Sequence, residues 1–358
     1  MRKHYIDNLR WMFILLLIPY HAAQAWVVWD EPNYIVHGQS RAICSIIVFF
    51  SPFFMPLLFL LAGMSTRFAL QKRTYRQYAL ERVKRLLVPF IFGILTLVPV
   101  MTYLADKHHT GYSGSFFEHY LVFFTRWTDL SGADGGFSCG QFWFLLYLFV
   151  ISFIALGIIA LQRRFLPDIK GDLPLPVLIL LGAPLPLLSD LLSVGGKSLA
   201  EYTYIFLIGY YVFSNESVTD RLTRFGELFL IIGIAAAALD VYLFVWSGGS
   251  YPKLNTAAKF TAEWSMLLGL IGTGKKRLEF SGRVTRFMSA RSFPYFSLHF
   301  VWVIVMQYLV TDAFAGNVLL LYFVPVVAAF ALTAVCCEIF LRVPVLSFLI
   351  GAKPLRKT

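Results

Sequence analysis

The chain has 358 residues, 58% of them hydrophobic and only 14% charged. A soluble domain carries about 25% charge, so this composition excludes an ordinary soluble fold, and repeated apolar runs of about 18 or more residues make the chain a polytopic membrane protein. The formal net charge of +11 does not point to nucleic acid, because the basic residues gather beside the ends of apolar runs, where they set topology.

The first apolar run begins at Trp11 and continues through His21 to Trp29. It is too long for a signal-peptide core and contains a histidine, so no cleavable leader is expected. Eleven positions separate Arg10 from His21. At roughly 100° per residue they return to within about 20° of one face, about 16 Å apart along the axis. Arg10 is then expected at the membrane surface and His21 near the midplane. Pro19 lacks an N–H and crowds the carbonyl of Leu15, so the helix should loosen just before the histidine. An ionisable group inside a membrane is a functional-site candidate by default; the plainer alternative is a neutral histidine bonded to a neighbouring helix.

Ten spans are predicted, at 11–29, 43–63, 87–105, 141–161, 175–193, 199–213, 226–246, 255–273, 294–310 and 317–341. Backbone groups in lipid must be satisfied internally, so these are helices, and the alternation of a membrane β-barrel is absent. The expected fold is all-α: a polytopic helical membrane bundle forming one integral-membrane domain over 1–358. With the N-terminus inside, 25 of the 31 Lys and Arg residues fall on inner segments, among them Arg2, Lys170, Arg356 and Lys357. That asymmetry places both termini in the cytoplasm.

Between the second and third spans, the segment from Arg67 to Arg85 reads as a basic helix lying on the inner interface. Arg82 and Arg85 are three apart and should share a face, with Pro89 opening the next span. They serve either topology and anionic-lipid contact, or a cradle for a phosphorylated ligand. The longest outer loop, 106–140, holds the aromatic piece Phe116–Thr125, then Arg126 and Trp127. Aromatics with few polar groups suit a sugar platform or an interfacial belt. Gln141-Phe-Trp143 opens the next span.

Glu263 and Asp240 lie within later spans, where each either polarises a histidine or joins two helices, the second being the reading for Asp240. His299 follows Pro294 and is expected near the inner face, beside the arginines. His108-His109 reads as an exposed loop pair. Cys44 and Cys139 fall at outer helix ends, where a disulfide is chemically allowed, and Cys336-Cys337 should stay reduced. No Cys/His spacing suits a metal.

Five segments in order resemble the acyltransferase-3 membrane acyltransferases. Asp7-x-x-Arg10 with His21 resembles the family's opening signature. Leu60-Leu-Ala-Gly63-Met resembles its apolar-Ser-Gly turn, with Ala62 for serine. Arg82-Val-Lys-Arg85 followed by Pro89 resembles its paired-arginine motif, Gln141-Phe-Trp143-Phe-Leu its His-x-Trp-Phe-Leu stretch, and Tyr295-Phe-Ser-Leu-His299 its late Tyr-x-x-x-His segment. The short loops look closest to its glucan succinyltransferase branch. The resemblance implies a multi-pass protein of the cytoplasmic membrane, transferring an acetyl or succinyl group from cytoplasmic acyl-CoA to a hydroxyl of an extracytoplasmic carbohydrate. Membrane lipid is then the surrounding partner, nucleic acid and metal are not involved, and a homo-oligomer is compatible with the pattern. His21 and Arg10 become the candidate catalytic residues, His21 as general base. Arg82, Arg85, Trp143, Glu263, His299 and Trp127 become candidates for substrate binding. The rival class is a transporter of sugar or lipid-linked glycan with His21 and Glu263 as a proton relay.

Overall fold

A computed structural model of the chain describes residues 3–166 and 171–354. Of the inner-side cations counted above, Arg2, Lys170, Arg356 and Lys357 lie outside the described residues. The regular secondary structure of the described residues is helical except for one short hairpin, β1 (Ser193–Val194) against β2 (Lys197–Ser198). The helices are α1 (His4–Ala23), α2 (Arg41–Leu70), α3 (Tyr75–Thr110), α4 (Phe116–Thr125), α5 (Gly140–Phe165), α6 (Leu175–Leu188) and α7 (Leu199–Phe213). They continue with α8 (Glu216–Trp246), α9 (Pro252–Arg277), α10 (Arg283–Val310), α11 (Val318–Arg342) and α12 (Pro344–Leu349).

Six of these, α2, α3, α5, α8, α10 and α11, are long and apolar enough to cross a membrane. The apolar α6 and α7 are shorter. Where a span was expected over 175–193, α6 is two helical pieces, Leu175–Leu180 and Leu185–Leu188, joined by a turn. Pro184 has no N–H for the Leu180 carbonyl and crowds it, so the first piece stops there, while Pro186 sits in the first turn of the second piece, where no donor is needed.

The basic segment after α2 also differs from expectation. Its start, Arg67 to Leu70, closes α2, and after a turn the rest opens α3, which runs through Pro89 into the apolar stretch. A π-helical stretch at Val83–Leu87 precedes the proline. Its wider winding relieves the clash of the Pro89 ring with the carbonyl four residues back, and it takes Arg82 and Arg85 out of α-helical three-residue register.

By its contacts the chain divides into two units. The first comprises Met1–Phe13, Val48–Arg82 and Tyr147–Ser289. Within it α2 and α7 approach backbone to backbone. A Cβ on Gly63 would lie 2.0 Å from the Phe206 carbonyl oxygen, and one on Gly209 would lie 2.3 Å from that of Leu60. The expected turn at Gly63 is therefore absent: the residue sits inside α2 because only a hydrogen fits against α7. Phe59 stacks on Tyr202 at 4.5 Å between the same helices. The α8–α9 hairpin closes in the same way, with Gly272 against Leu222. The indole of Trp264 donates to the Leu178 carbonyl at 3.0 Å and so anchors the broken α6.

The second unit comprises Ile14–Ile47, Val83–Leu146 and Ala290–Thr358. His108 and His109, expected as an exposed loop pair, end α3 and bond the Val36 and Asn33 carbonyls at 3.0 and 2.8 Å. In the 106–140 loop, Ser115 and Glu118 form a reciprocal cap on α4, as the Ser-x-x-Glu spacing dictates. His119 is fully buried against Asp106, 3.2 Å away, and Arg126 reaches the same carboxylate at 3.4 Å. The four cysteines are free, so Cys44 and Cys139 are not bridged.

Two outcomes follow. Gly63→Val should lower stability by about 1–3 kcal/mol through overpacking, read as a drop in melting temperature in detergent. Burial holds the His119 imidazole below its ordinary pKa, against the opposing pull of Asp106. As pH falls below about 6.5, the unfolded chain takes up a proton that the folded loop resists, so stability declines toward acid. His119→Gln should flatten that acid-side decline in melting temperature.

Candidate active site

Helix α1 carries both Arg10 and His21, but it starts earlier and stops earlier than the apolar run suggests. It ends at Ala23, and a 3₁₀ turn at Gln24–Trp26 follows. His21 therefore occupies the last turn of α1 rather than the middle of a span. The helix does not break at Pro19. Instead, carbonyls on either side of His21 receive side chains from other helices. Tyr322 donates to the Pro19 oxygen at 3.2 Å, and Gln307 to the Ala22 oxygen at 3.0 Å. The second bond fills an acceptor that a helix end leaves vacant.

The His21 ring is held from three directions. Its Nδ1 lies 2.9 Å from the Gln24 Oε1. It stacks on Phe300 at 4.2 Å between ring centroids. His299 stands beside it at 5.2 Å. The Gln24 oxygen can only accept, so His21 Nδ1 carries the hydrogen and Nε2 keeps its lone pair. The same logic holds for His299. Its Nδ1 faces the Phe296 and Tyr295 carbonyls at 2.8 and 3.1 Å, while its buried Nε2 has no partner. Two neighbouring imidazoles thus each present an unprotonated Nε2. Phe296 packs edge-on to Phe144 and Phe300 to Tyr34, which fixes this stretch of α10.

Gln141 is buried on the adjoining element and donates from Nε2 to the Ser297 carbonyl at 3.2 Å, leaving its Oε1 without a partner. Trp143 begins the next turn of α5 and remains half-buried. Trp127 is 61% exposed and stacks on Phe137 at 4.1 Å, within the packing of its own loop.

Of the remaining candidates, Arg85 belongs to the second unit and the others to the first. Arg10 bonds Asp7 at 3.1 Å, as the three-residue spacing anticipates, and also Ser65 at 2.9 Å. The Arg82 guanidinium sits over the Tyr78 ring at 4.5 Å with its Nε buried and unbonded. Arg85, on the π stretch, is exposed. Glu263 is buried and hydrogen-bonds Glu201 rather than a histidine. Asp240 is met by Asn255, a bond between helices α8 and α9.

Gln24, Gln307, Tyr322 and Phe300 were not singled out from sequence. Only Gln24 had a local signal, being three residues beyond His21 on a helical path. The others reach the histidine from elsewhere in the chain.

A family profile described as an acyltransferase domain, acyltransferase-3, matches residues 3–342. The chain belongs to the acyltransferase-3 family. Among its curated relatives, the glucans biosynthesis protein C of Salmonella heidelberg (strain SL476) is 23% identical over 99% of this chain and 95% of its own length. The protein of the same name from Salmonella typhi is 24% identical over the same shares. No solved structure matches the chain. This acyltransferase is therefore a multi-pass membrane protein.

Nitrogen-15 NMR of the labelled protein should show both His21 and His299 protonated at Nδ1. Gln24→Leu should release that preference for His21 and leave His299 unchanged.

Proposed function

We propose that this acyltransferase moves an acetyl or succinyl group from cytoplasmic acyl-CoA to a hydroxyl on an extracytoplasmic carbohydrate. The printed names of its relatives favour a glucan as acceptor. In this reading the protein resides in the cytoplasmic membrane with ten spans and both termini inside. The broken α6 and the short α7 then pack against neighbours to complete two of the spans.

The observation that carries the reading is the 2.9 Å bond from His21 Nδ1 to the Gln24 oxygen, which leaves Nε2 as a base of one defined tautomer. Nε2 takes the proton of the acceptor hydroxyl as that oxygen attacks the thioester carbonyl. The tetrahedral intermediate collapses with cleavage of the C–S bond. The proton passes from the imidazolium to the departing thiolate, so the products are the ester and free CoA. Phe300 stacked on the ring limits its rotation, and Gln24 stabilises the imidazolium as it forms. Arg10, steadied by Asp7 and Ser65 and about 16 Å along α1 from His21, is assigned to the phosphate end of the donor. Arg82 and Arg85 are assigned to its phosphates, where arginine forks suit phosphate oxygens. Trp127 and Trp143 offer aromatic faces to a sugar, and His299 supports His21.

In reconstituted protein supplied with acyl-CoA and a glucan, His21→Ala should reduce transfer by about 10²–10⁴-fold while the melting temperature holds. Gln24→Glu should retain transfer but move the acid limb of its pH profile upward, because a carboxylate beside the ring favours the imidazolium. Transfer retained in His21→Ala would remove this histidine from the chemistry. Arg82→Ala combined with Arg85→Ala should weaken acyl-CoA binding, and unchanged affinity would return both residues to a topological role.

A further inference from the structure

Several cations of the first unit are answered by carboxylates. Lys3 meets Glu216, Arg73 meets Glu81, Arg221 meets Asp172, Lys275 meets Asp220, and Lys276 and Arg277 meet Glu227. Arg67 and Arg163 are different. Their guanidinium groups converge on one neutral acceptor, the Tyr210 hydroxyl, at 3.3 and 3.1 Å. Arg163 also donates to the Tyr75 hydroxyl at 3.3 Å, and Arg67 lies over the Tyr210 ring at 5.2 Å. Neither has an acidic partner among the described residues. Two like charges are thus held together by phenols that orient them without neutralising them. The Tyr210 side chain is fully buried, so the shared anchor is rigid.

Both arginines line a cavity of about 510 Å³ with Gln71 and Leu166. Ligand pockets fall in the range of about 300–1,000 Å³. Gln71, Arg163 and Leu166 are exposed, so the cavity opens outward at the ends of α2 and α5. These are the ends that carry the basic residues of the inner side. A pocket with two fixed, uncompensated guanidinium forks and an amide is built for an oxyanion with several acceptor oxygens, as a phosphate has.

We propose that the cleft formed by Arg67, Gln71 and Arg163 binds a phosphate group of the nucleotide part of the acyl-CoA donor. This rests on the acyl-CoA reading above and adds a second cation pair to Arg82 and Arg85. Anionic lipid headgroups share the chemistry, but the outward-opening cleft favours a ligand arriving from solution.

The test is CoA titration of the full chain in nanodiscs, once in phosphatidylcholine alone and once with added phosphatidylglycerol. Arg67→Gln and Arg163→Gln should each raise the Kd for CoA by about tenfold in both lipids, the loss of one charge-assisted bond. Arg67→Lys, which keeps the charge but loses the fork, should fall between the parent and Arg67→Gln, guarding against a folding defect. Unchanged CoA affinity in both glutamine variants overturns the proposal. So does a loss confined to stabilisation by phosphatidylglycerol, which would make the cleft a lipid seat. Weakened CoA binding in a protein that transfers no acyl group would keep the cleft and remove the transfer reading. Full transfer with unaltered CoA affinity in both variants would do the reverse.

Discussion

Every polar group that this chain withdraws from water has to find its partner inside the protein, and that constraint shapes both backbone and site. It makes the described residues helical, because a helix satisfies its own N–H and C=O groups where no solvent can. At the end of α1, where the ladder runs out, Gln307 fills the vacant Ala22 carbonyl. The same requirement gives Glu263 to Glu201 and Asp240 to Asn255. Among the buried atoms without partners, the Nε2 of His299 and Oε1 of Gln141 lie on elements joined by the Gln141–Ser297 bond.

The imidazole pair gains its chemistry from the same economy of partners. Each Nδ1 faces an oxygen that can only accept, so the tautomer is decided by geometry rather than by solution equilibrium. A base for acyl transfer must hold a lone pair at the right atom before substrate arrives, and a ring clamped by Gln24 and Phe300 meets that condition without reorganisation. Close helix contact supports this rigidity elsewhere: α2 and α7 touch through Gly63 and Gly209, leaving no room for either helix to shift along the other.

Much was legible in residue order. The apolar runs announced a multi-pass membrane protein, and the five ordered motifs pointed to the family that the whole-chain match shows. The Asp7–Arg10 bond followed from a spacing of three. These readings succeed because helix geometry relates residues three or four apart whatever surrounds them. Where local geometry met a proline or a glycine, the outcome needed the neighbours. Pro89 is absorbed by a π stretch, the Pro184–Pro186 pair breaks α6, and Gly63 serves helix contact instead of a turn.

The sequence by itself determined the class of protein, the family and the short-range partners, since composition, periodicity and motif spacing are properties of the chain alone. Only the tertiary structure decided that His299 stands beside His21, that Glu263 answers to Glu201, and that Arg67 and Arg163 meet on Tyr210. Each of these joins residues tens to hundreds of positions apart. No helical period carries information over such distances; the packing of one helix against another does.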